Sequence, residues 1–405
     1  MKSNYKRLGD YIREVNNRNT ELRVTNLLGI NIDKFFMPSV ANVVGTDMTS
    51  YKIVKMGQFA CNRMHVGRDQ RLPVSLSRDS NDFLVSPAYN VFEVIDLNAL
   101  LPEYLMMWFS RREFDRNAWF YTDADVRGGL NWKDFCNMQL PIPAIAKQRE
   151  IVKEYNVLVN RVALNNQLNQ KLEETAQAIY KQWFVDFEFP DEDGKLYKSN
   201  GGEMVESEFG EIPKGWRSVN LGDLVQTQYG YTASAETNNL GTKFLRITDI
   251  VNKQIDWDNV PYCKLPQKEL SKYLLKNGDI VIARTGANVG YAKRINKKHP
   301  QAVFASYLIR MTSLEKSISI YLGMTVDSIK YREFIQSVSE GSAQPQANAN
   351  LMSKYLMVKP HPDLFLKLNS IIEPIFDQIE VFQIQNTNLY KLQNLLLSKL
   401  TTIEN

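Results

Sequence analysis

The stretch from Ala146 to Pro190 constrains this chain most, because it has no glycine and no proline before its last residue. Apolar groups return at alternating spacings of three and four, at Ile151, Tyr155, Leu158, Val162, Leu172, Ala176, Ile179 and Trp183. That rhythm predicts a long helix with an apolar seam, of the kind that packs on another helix. About 40 helical residues make a rod of roughly 60 Å. A rod of that length in mid-chain separates two segments, and the two must be compared.

The segments repeat one another in outline. LGDYI at Leu8 answers LGDLV at Leu221, and YKIVKMGQFACNR at Tyr51 answers YLLKNGDIVIART at Tyr273. The tight turn is Met56-Gly57 in one and Asn277-Gly278 in the other. RGGLNWKDFCNMQLPIP at Arg127 answers SAQPQANANLMSKYLMVKP at Ser342, with Asn131 set against Asn350 and Pro141 against Pro360. Asp363–Leu400 answers the long helix, with Ile372, Ile375, Ile379, Phe382, Leu389, Leu396 and Leu400 on its seam. The offsets cluster around roughly 220 residues, and matches in one order point to an internal repeat. Pro374 reads as a first-turn proline or a kink. Asn165, Asn166 and Asn386 fall near mid-helix, where an asparagine either fixes register in a seam or faces water.

Smaller elements are predicted within the first globule. Tyr51–Val54, Gln58–Asn62 and Leu84–Val94 read as strands, and Leu101–Trp119 reads as helix. Arg63–Arg78 is basic, turn-rich and loop-like, and CNMQLPIP is a strand and exit. The plan is therefore α+β: a globule over 1–145, a helical spacer over 146–190, a Gly/Asp/Glu/Lys-rich linker over 191–210, a second globule over 211–362 and a second helical spacer over 363–405. Two seamed helices with a globule between them suit antiparallel pairing with pseudo-two-fold symmetry.

Composition narrows the chemistry. The chain has 405 residues, enough for two or three domains. Its net charge is only +4, so any nucleic-acid contact must rest on local basic clusters or on other subunits. Cys61, Cys136 and Cys263 lack metal or redox spacing and read as free thiols of a reducing, cytoplasmic compartment. No run has the length of a signal peptide or a membrane span. His65, His299 and His361 have no partner at ligand spacing. There is no dinucleotide-binding or phosphate-binding glycine motif, and no Asn/Asp-Pro-Pro-aromatic tetrad. Asp191, Glu192, Asp193 and Lys195 have the residue types of a magnesium nuclease, but they crowd into one linker instead of converging from separate strands.

Recognition chemistry remains. Arg forks onto guanine, Asn onto adenine, and Lys meets phosphate. The second globule offers Arg284, Thr285, Asn288, Tyr291, Lys293, Arg294 and Lys297, then Gln344, Gln346, Asn348 and Asn350. The first offers Arg63, Arg68, Arg71, Arg78, Arg127, Asn131 and Lys133. Tyr180, Trp183, Phe184, Phe187 and Phe189 are too many large apolar groups for one helix face, so either the globules or another chain must cover them.

Several strings together resemble the sequence-specificity subunit of type I restriction–modification systems: GDIVIARTGANVG at Gly278, SYLIR at Ser306, GSAQPQANANLMSKYLMVKP at Gly341 and IYKQWFVDFEFP at Ile179. CNRMHVGR at Cys61 departs from the Arg-Thr-Gly turn of the second repeat. The resemblance implies a non-catalytic subunit that binds double-stranded DNA, each globule reading one half of a split target. It implies assembly with two modification subunits, which carry S-adenosylmethionine, and two restriction subunits, which use ATP and magnesium. It makes the helices the ruler of the unread spacer, and the aromatic stretch from Tyr180 to Phe189 a candidate subunit interface. A stand-alone methyltransferase or nuclease with an unrecognised site is the rival reading.

Overall fold

The computed structural model describes residues 5–40, 45–122, 128–252, 254–339 and 346–402. They fall into two units. Unit 1 comprises residues 1–164 and 385–405, and unit 2 comprises 165–384. The chain passes between them twice, once within each long helix. Those helices run Ile145–Phe184 and Pro362–Lys399.

Each unit is built on a four-stranded antiparallel sheet of the same order. In unit 1 the strands lie as Ile12–Val15, Asn90–Val94, Phe59–Cys61 and Val74–Leu76. In unit 2 they lie as Val225–Tyr229, Leu308–Ser313, Ile280–Ala283 and Ala292–Arg294. The turns that open the third strand of each match closely. Gly57 (φ 83°) and Gly278 (φ 90°) supply the left-handed residue that a type II turn needs. The next side chain then closes the loop: Lys55 N–H donates to Gln58 Oε1, and Lys276 N–H to Asp279 Oδ2, both at 2.9 Å.

A short antiparallel pair ties the entrance of each globule to its exit. Tyr5–Arg7 pairs with Gln139–Pro141, and Arg217–Asn220 with Leu356–Lys359. Beside each pair sits the Leu-Gly-Asp 3-10 turn, whose leucine is buried. Leu8 N–H donates to Met138 O, and Leu221 N–H to Tyr355 O. This alignment corrects the repeat register in that block by two residues. Asn131 corresponds to Asn348, not Asn350, and Pro143, not Pro141, corresponds to Pro360.

The cores differ although the sheets agree. Phe59 faces Phe92 across the unit 1 sheet, stacked at 4.9 Å, with Phe109 and Phe135 around them. The same cross-strand pair in unit 2 is Ile280 and Met311. One core is aromatic and the other aliphatic, and similar apolar volume serves either way. The side pairing differs as well: Lys52–Val54 runs antiparallel to Phe83–Val85, whereas Lys243–Leu245 runs parallel to Ala302–Phe304.

Several boundaries move. Leu84–Val94 is two strands, Phe83–Val85 and Asn90–Val94, because Ser86–Tyr89 makes a turn. Leu101–Trp119 is two helices, Pro102–Phe109 and Arg112–Phe120, broken at Ser110 and Arg111. Within Arg63–Arg78 lie a helical turn, Val66–Asp69, and a strand, Val74–Leu76. The first long helix stops at Phe184, where Phe187 takes a positive φ of 61° and Glu188 N–H folds back to Gln182 O. The second runs continuously through Pro374, so its start is Pro362.

Residues 191–210, expected to be a linker, are folded. Tyr197 stacks on Phe189 at 4.5 Å, Ser199 donates to the Glu188 carboxylate, and Met204–Ser207 pairs with Gly210–Pro213. Local hydrogen bonds and stacked rings hold a segment whose composition is polar.

Asn165 and Asn169 are buried, and Asn386 is 8% exposed, while Asn166 is exposed. The core of unit 2 takes in Ala176, Trp183 and Phe184 from the first long helix and Leu364, Phe365, Leu368 and Ile372 from the second. The core of unit 1 takes in Leu397 from the second, with Ile151, Val152 and Tyr155 of the first packed against it.

Candidate nucleic-acid interface

Arg63 and Arg284 occupy the same place in the two repeats. Each follows the third strand of its sheet, and each backbone carbonyl accepts a 2.9 Å hydrogen bond from the loop before the exit strand: Leu130 N–H to Arg63 O, and Ala347 N–H to Arg284 O. Each guanidinium lies over an aromatic ring. Arg63 sits 5.7 Å from the Trp132 centroid, and Arg284 sits 5.1 Å from that of Tyr229. Stacking of this kind holds a planar cation in a fixed direction. Arg63 is committed further, donating to Asn90 Oδ1 and Leu130 O. Arg284 makes a long contact of 3.4 Å to Ser306 O.

Around Arg284 the structure gathers Thr285, which bridges to Gln346, and Asn288, which ends the following 3-10 turn. Gln346, Asn348 and Asn350 are exposed. Asn348 is the N-cap of the helix Ala349–Ser353, and Asn131 is the N-cap of Trp132–Asn137. Their shared position in the repeat is thus explained by capping, which occupies the side-chain oxygen. Sequence reasoning missed Tyr229 and Tyr307. Tyr229 accepts a hydrogen bond from Ala349 N–H, and Tyr307, 61% exposed, accepts one from Arg284 N–H through its carbonyl. The SYLIR string contained Tyr307, but only folding carries it to Arg284.

In unit 1 the two basic loops meet at Gly67 and Gly128. Gly67 N–H donates to Gly128 O at 2.7 Å, and a Cβ on Gly67 would stand 2.7 Å from Gly128 Cα. No larger residue fits there. Arg68 pairs with Asp69, Arg71 pairs with Asp33, and Arg78 and Lys133 are exposed. Arg127 and Gln344 lie outside the described residues.

Four residues of the second basic stretch have partners inside unit 2. Tyr291 lies under the Arg332 guanidinium at 4.3 Å. Lys293 pairs with Asp327 at 3.7 Å; burial pushes that carboxyl up, while Lys293 and Arg332 act against the shift. Arg294 packs its chain where a side chain on Gly323 would go, and burial pushes its guanidinium down against the pull of Glu373, Asp377 and Glu380. Lys297 forms ion pairs with Glu373 at 2.7 Å and Asp377 at 3.5 Å on the second long helix. Lys297 thus ties the domain to its helix within unit 2, while Lys293 pairs inside the domain.

The aromatic end of the first long helix is likewise internal to unit 2. Tyr180 shares a hydrogen bond with Thr325 and is half-buried, and the desolvation pushes its phenol up. Trp183 and Phe184 are buried, with Phe184 4.7 Å from Tyr321. Phe187 meets Trp216 edge-on, and Phe189 stacks on Trp216 at 5.1 Å. The second globule thus buries Trp183 and Phe184 and partly covers Tyr180, Phe187 and Phe189.

Cys61 and Cys263 are buried, their thiols pushed up to about 12 and about 11 mainly by burial, which suppresses the reactive thiolate. Among the described residues no three His, Cys, Asp or Glu side chains gather to hold a metal, and no helix is long and apolar enough to cross a membrane.

Two copies of one α+β domain, each presenting an arginine on an aromatic ring between loops and each joined to long helices, define a tandem recognition protein. Comparison with known proteins gives the family. The profile of the type I restriction modification DNA specificity domain matches residues 75–174 and 213–362, more than half of the chain, and the chain belongs to that family as a specificity subunit with two recognition domains. It is 24% identical to the type I restriction enzyme HindI specificity subunit of Haemophilus influenzae, over 97% of both chains. It is 23% identical to the MjaIX specificity subunit of Methanocaldococcus jannaschii, over 76% of this chain and 70% of that one. The fold resembles a type I restriction–modification S subunit from M. genitalium, with a TM-score of 0.57 at 10% identity, covering 99% of this chain and 96% of that one.

Proposed function

We propose that this specificity subunit reads a bipartite double-stranded DNA target, one half-site per repeat. The observation that carries the reading is the duplicated arginine, Arg63 and Arg284, set at one turn of one fold and stacked on a ring in both units. The Arg284 guanidinium, held by its ring and one long contact, suits a guanine edge as a bidentate donor, whereas Asn90 and Leu130 hold that of Arg63 in place. The long helices pair as an antiparallel coiled coil and fix the unread spacer. Two modification subunits bring S-adenosylmethionine and methylate adenine. Two restriction subunits bring ATP- and magnesium-dependent cleavage. The chain itself is non-catalytic and works in the cytoplasm.

Radiolabelled S-adenosylmethionine and genomic DNA test this. The purified chain should transfer no methyl group, and the chain with its modification subunit should methylate a split site. Methylation by the chain alone would overturn the reading in favour of a stand-alone enzyme.

A further inference from the structure

Trp119, Phe120 and Tyr121 stand in a row at the end of the helix Arg112–Phe120, and they are 44%, 79% and 46% exposed. Three adjacent aromatics left in water need a cause beyond chance, since each leaves apolar surface unburied. The fold does not require them. The same helix recurs in unit 2 as Ile329–Ser339, where Tyr331 and Ile335 are buried as Phe114 and Ala118 are in unit 1. In that register the three aromatics fall on Gln336, Ser337 and Val338.

The patch adjoins the basic loops of unit 1. Thr122 bridges to Leu130, the residue whose N–H binds the Arg63 carbonyl. The helical turn Val66–Asp69, which carries Arg68, packs against the aromatic helix. Arg112 and Arg116 are exposed on that helix, Arg116 in a surface ion pair with Glu113 at 3.6 Å. Phe120 and Tyr121 meet edge-on at 5.5 Å, so the second ring braces the first.

We propose that Phe120, braced by Trp119 and Tyr121, inserts its ring against a base step of the half-site read by unit 1 and partly unstacks it. An exposed flat ring beside guanidinium groups suits nucleic acid, in which bases offer π-faces and phosphates take the positive charge. The inference rests on the DNA-recognition reading above, and it makes the two repeats unequal at this helix, where Gln336, Ser337 and Val338 stand in place of the three aromatics.

The test uses the chain in complex with its modification subunit and a duplex bearing the site mapped by methylation. 2-Aminopurine is placed in each half-site in turn, at a position other than the adenine to be methylated, which the modification subunit itself takes out of the stack. Binding of the wild-type complex should raise the fluorescence in one half only. Phe120→Ala should abolish that rise and weaken binding about ten- to a hundredfold, the range for one lost base stack. The salt dependence should stay unchanged, because no phosphate contact is removed. Phe120→Trp should keep both signals. Because Phe120 is exposed, the substitution empties no core, and an unchanged melting temperature confirms a folded variant. Unaltered fluorescence and affinity in Phe120→Ala would overturn the inference, as would a loss confined to assembly with the modification subunit. No target-specific binding by the wild-type complex would overturn the recognition reading itself.

Discussion

Lys293, Arg294 and Lys297 lie in a stretch whose composition suits nucleic acid, yet unit 2 matches each charge internally. Among the described residues the Arg284 side chain, nine residues before Lys293, makes a long carbonyl contact and has a ring beneath it. The two kinds of cation should separate in experiment. Arg284→Ala should relax recognition of one half-site by about 1–3 kcal/mol, measured by binding to targets substituted in either half. Lys297→Ala should leave half-site affinity and its salt dependence unchanged, because its partners are Glu373 and Asp377. Acid sensitivity is argued at this scale too. Hydrogen bonds from Gln58 first, then Arg13, hold the Glu93 carboxyl below its ordinary value of 4.5. A depressed carboxyl contributes stability that is fully present above that value and is lost as pH falls through the lower folded value. Glu93→Gln should therefore flatten the fall in unfolding free energy below about pH 4.5, followed by denaturant titration at several pH values.

At the scale of elements, the end of the first long helix was legible as helix and as unusually aromatic, but its cover was not. A seam residue and an interface residue look alike in sequence, since both are apolar and periodic. Trp216 and Tyr321, which cover Phe184, stand far along the chain and are brought in by tertiary packing. Phe184→Ala should destabilise unit 2 by about 3–5 kcal/mol in chemical denaturation, as a large core truncation does. Loss of subunit assembly at unchanged stability would contradict this. The 191–210 segment teaches the same lesson from the polar side. Its Gly/Asp/Lys composition predicts a linker, whereas the stack of Tyr197 on Phe189 and a hairpin order it. The Gly57 and Gly278 turns were readable in advance because a tight turn is local, decided by residues a few positions apart.

At the scale of the molecule, the two helices are the features on which a ruler function depends. Inserting one helical turn, about four residues, near Asn165 should lengthen the preferred spacer or abolish binding. Mapping methylated sites with the altered chain checks this, and an unchanged target would mean that the helix does not set the distance. The sequence by itself determined the order globule, helix, globule, helix, because heptad periodicity and turn glycines act over short range. It also carried the repeat, through motifs such as Leu-Gly-Asp at Leu8 and Leu221. Tertiary structure alone decided the register, setting Asn131 against Asn348 through the bonds of Leu8 and Leu221. It also decided which cations are free, which aromatics are core and which remain exposed at Phe120. The physical reason is common to all three. Burial and charge pairing depend on partners distant in sequence, and a Phe59–Phe92 pair in one copy can be Ile280–Met311 in the other without disturbing the fold.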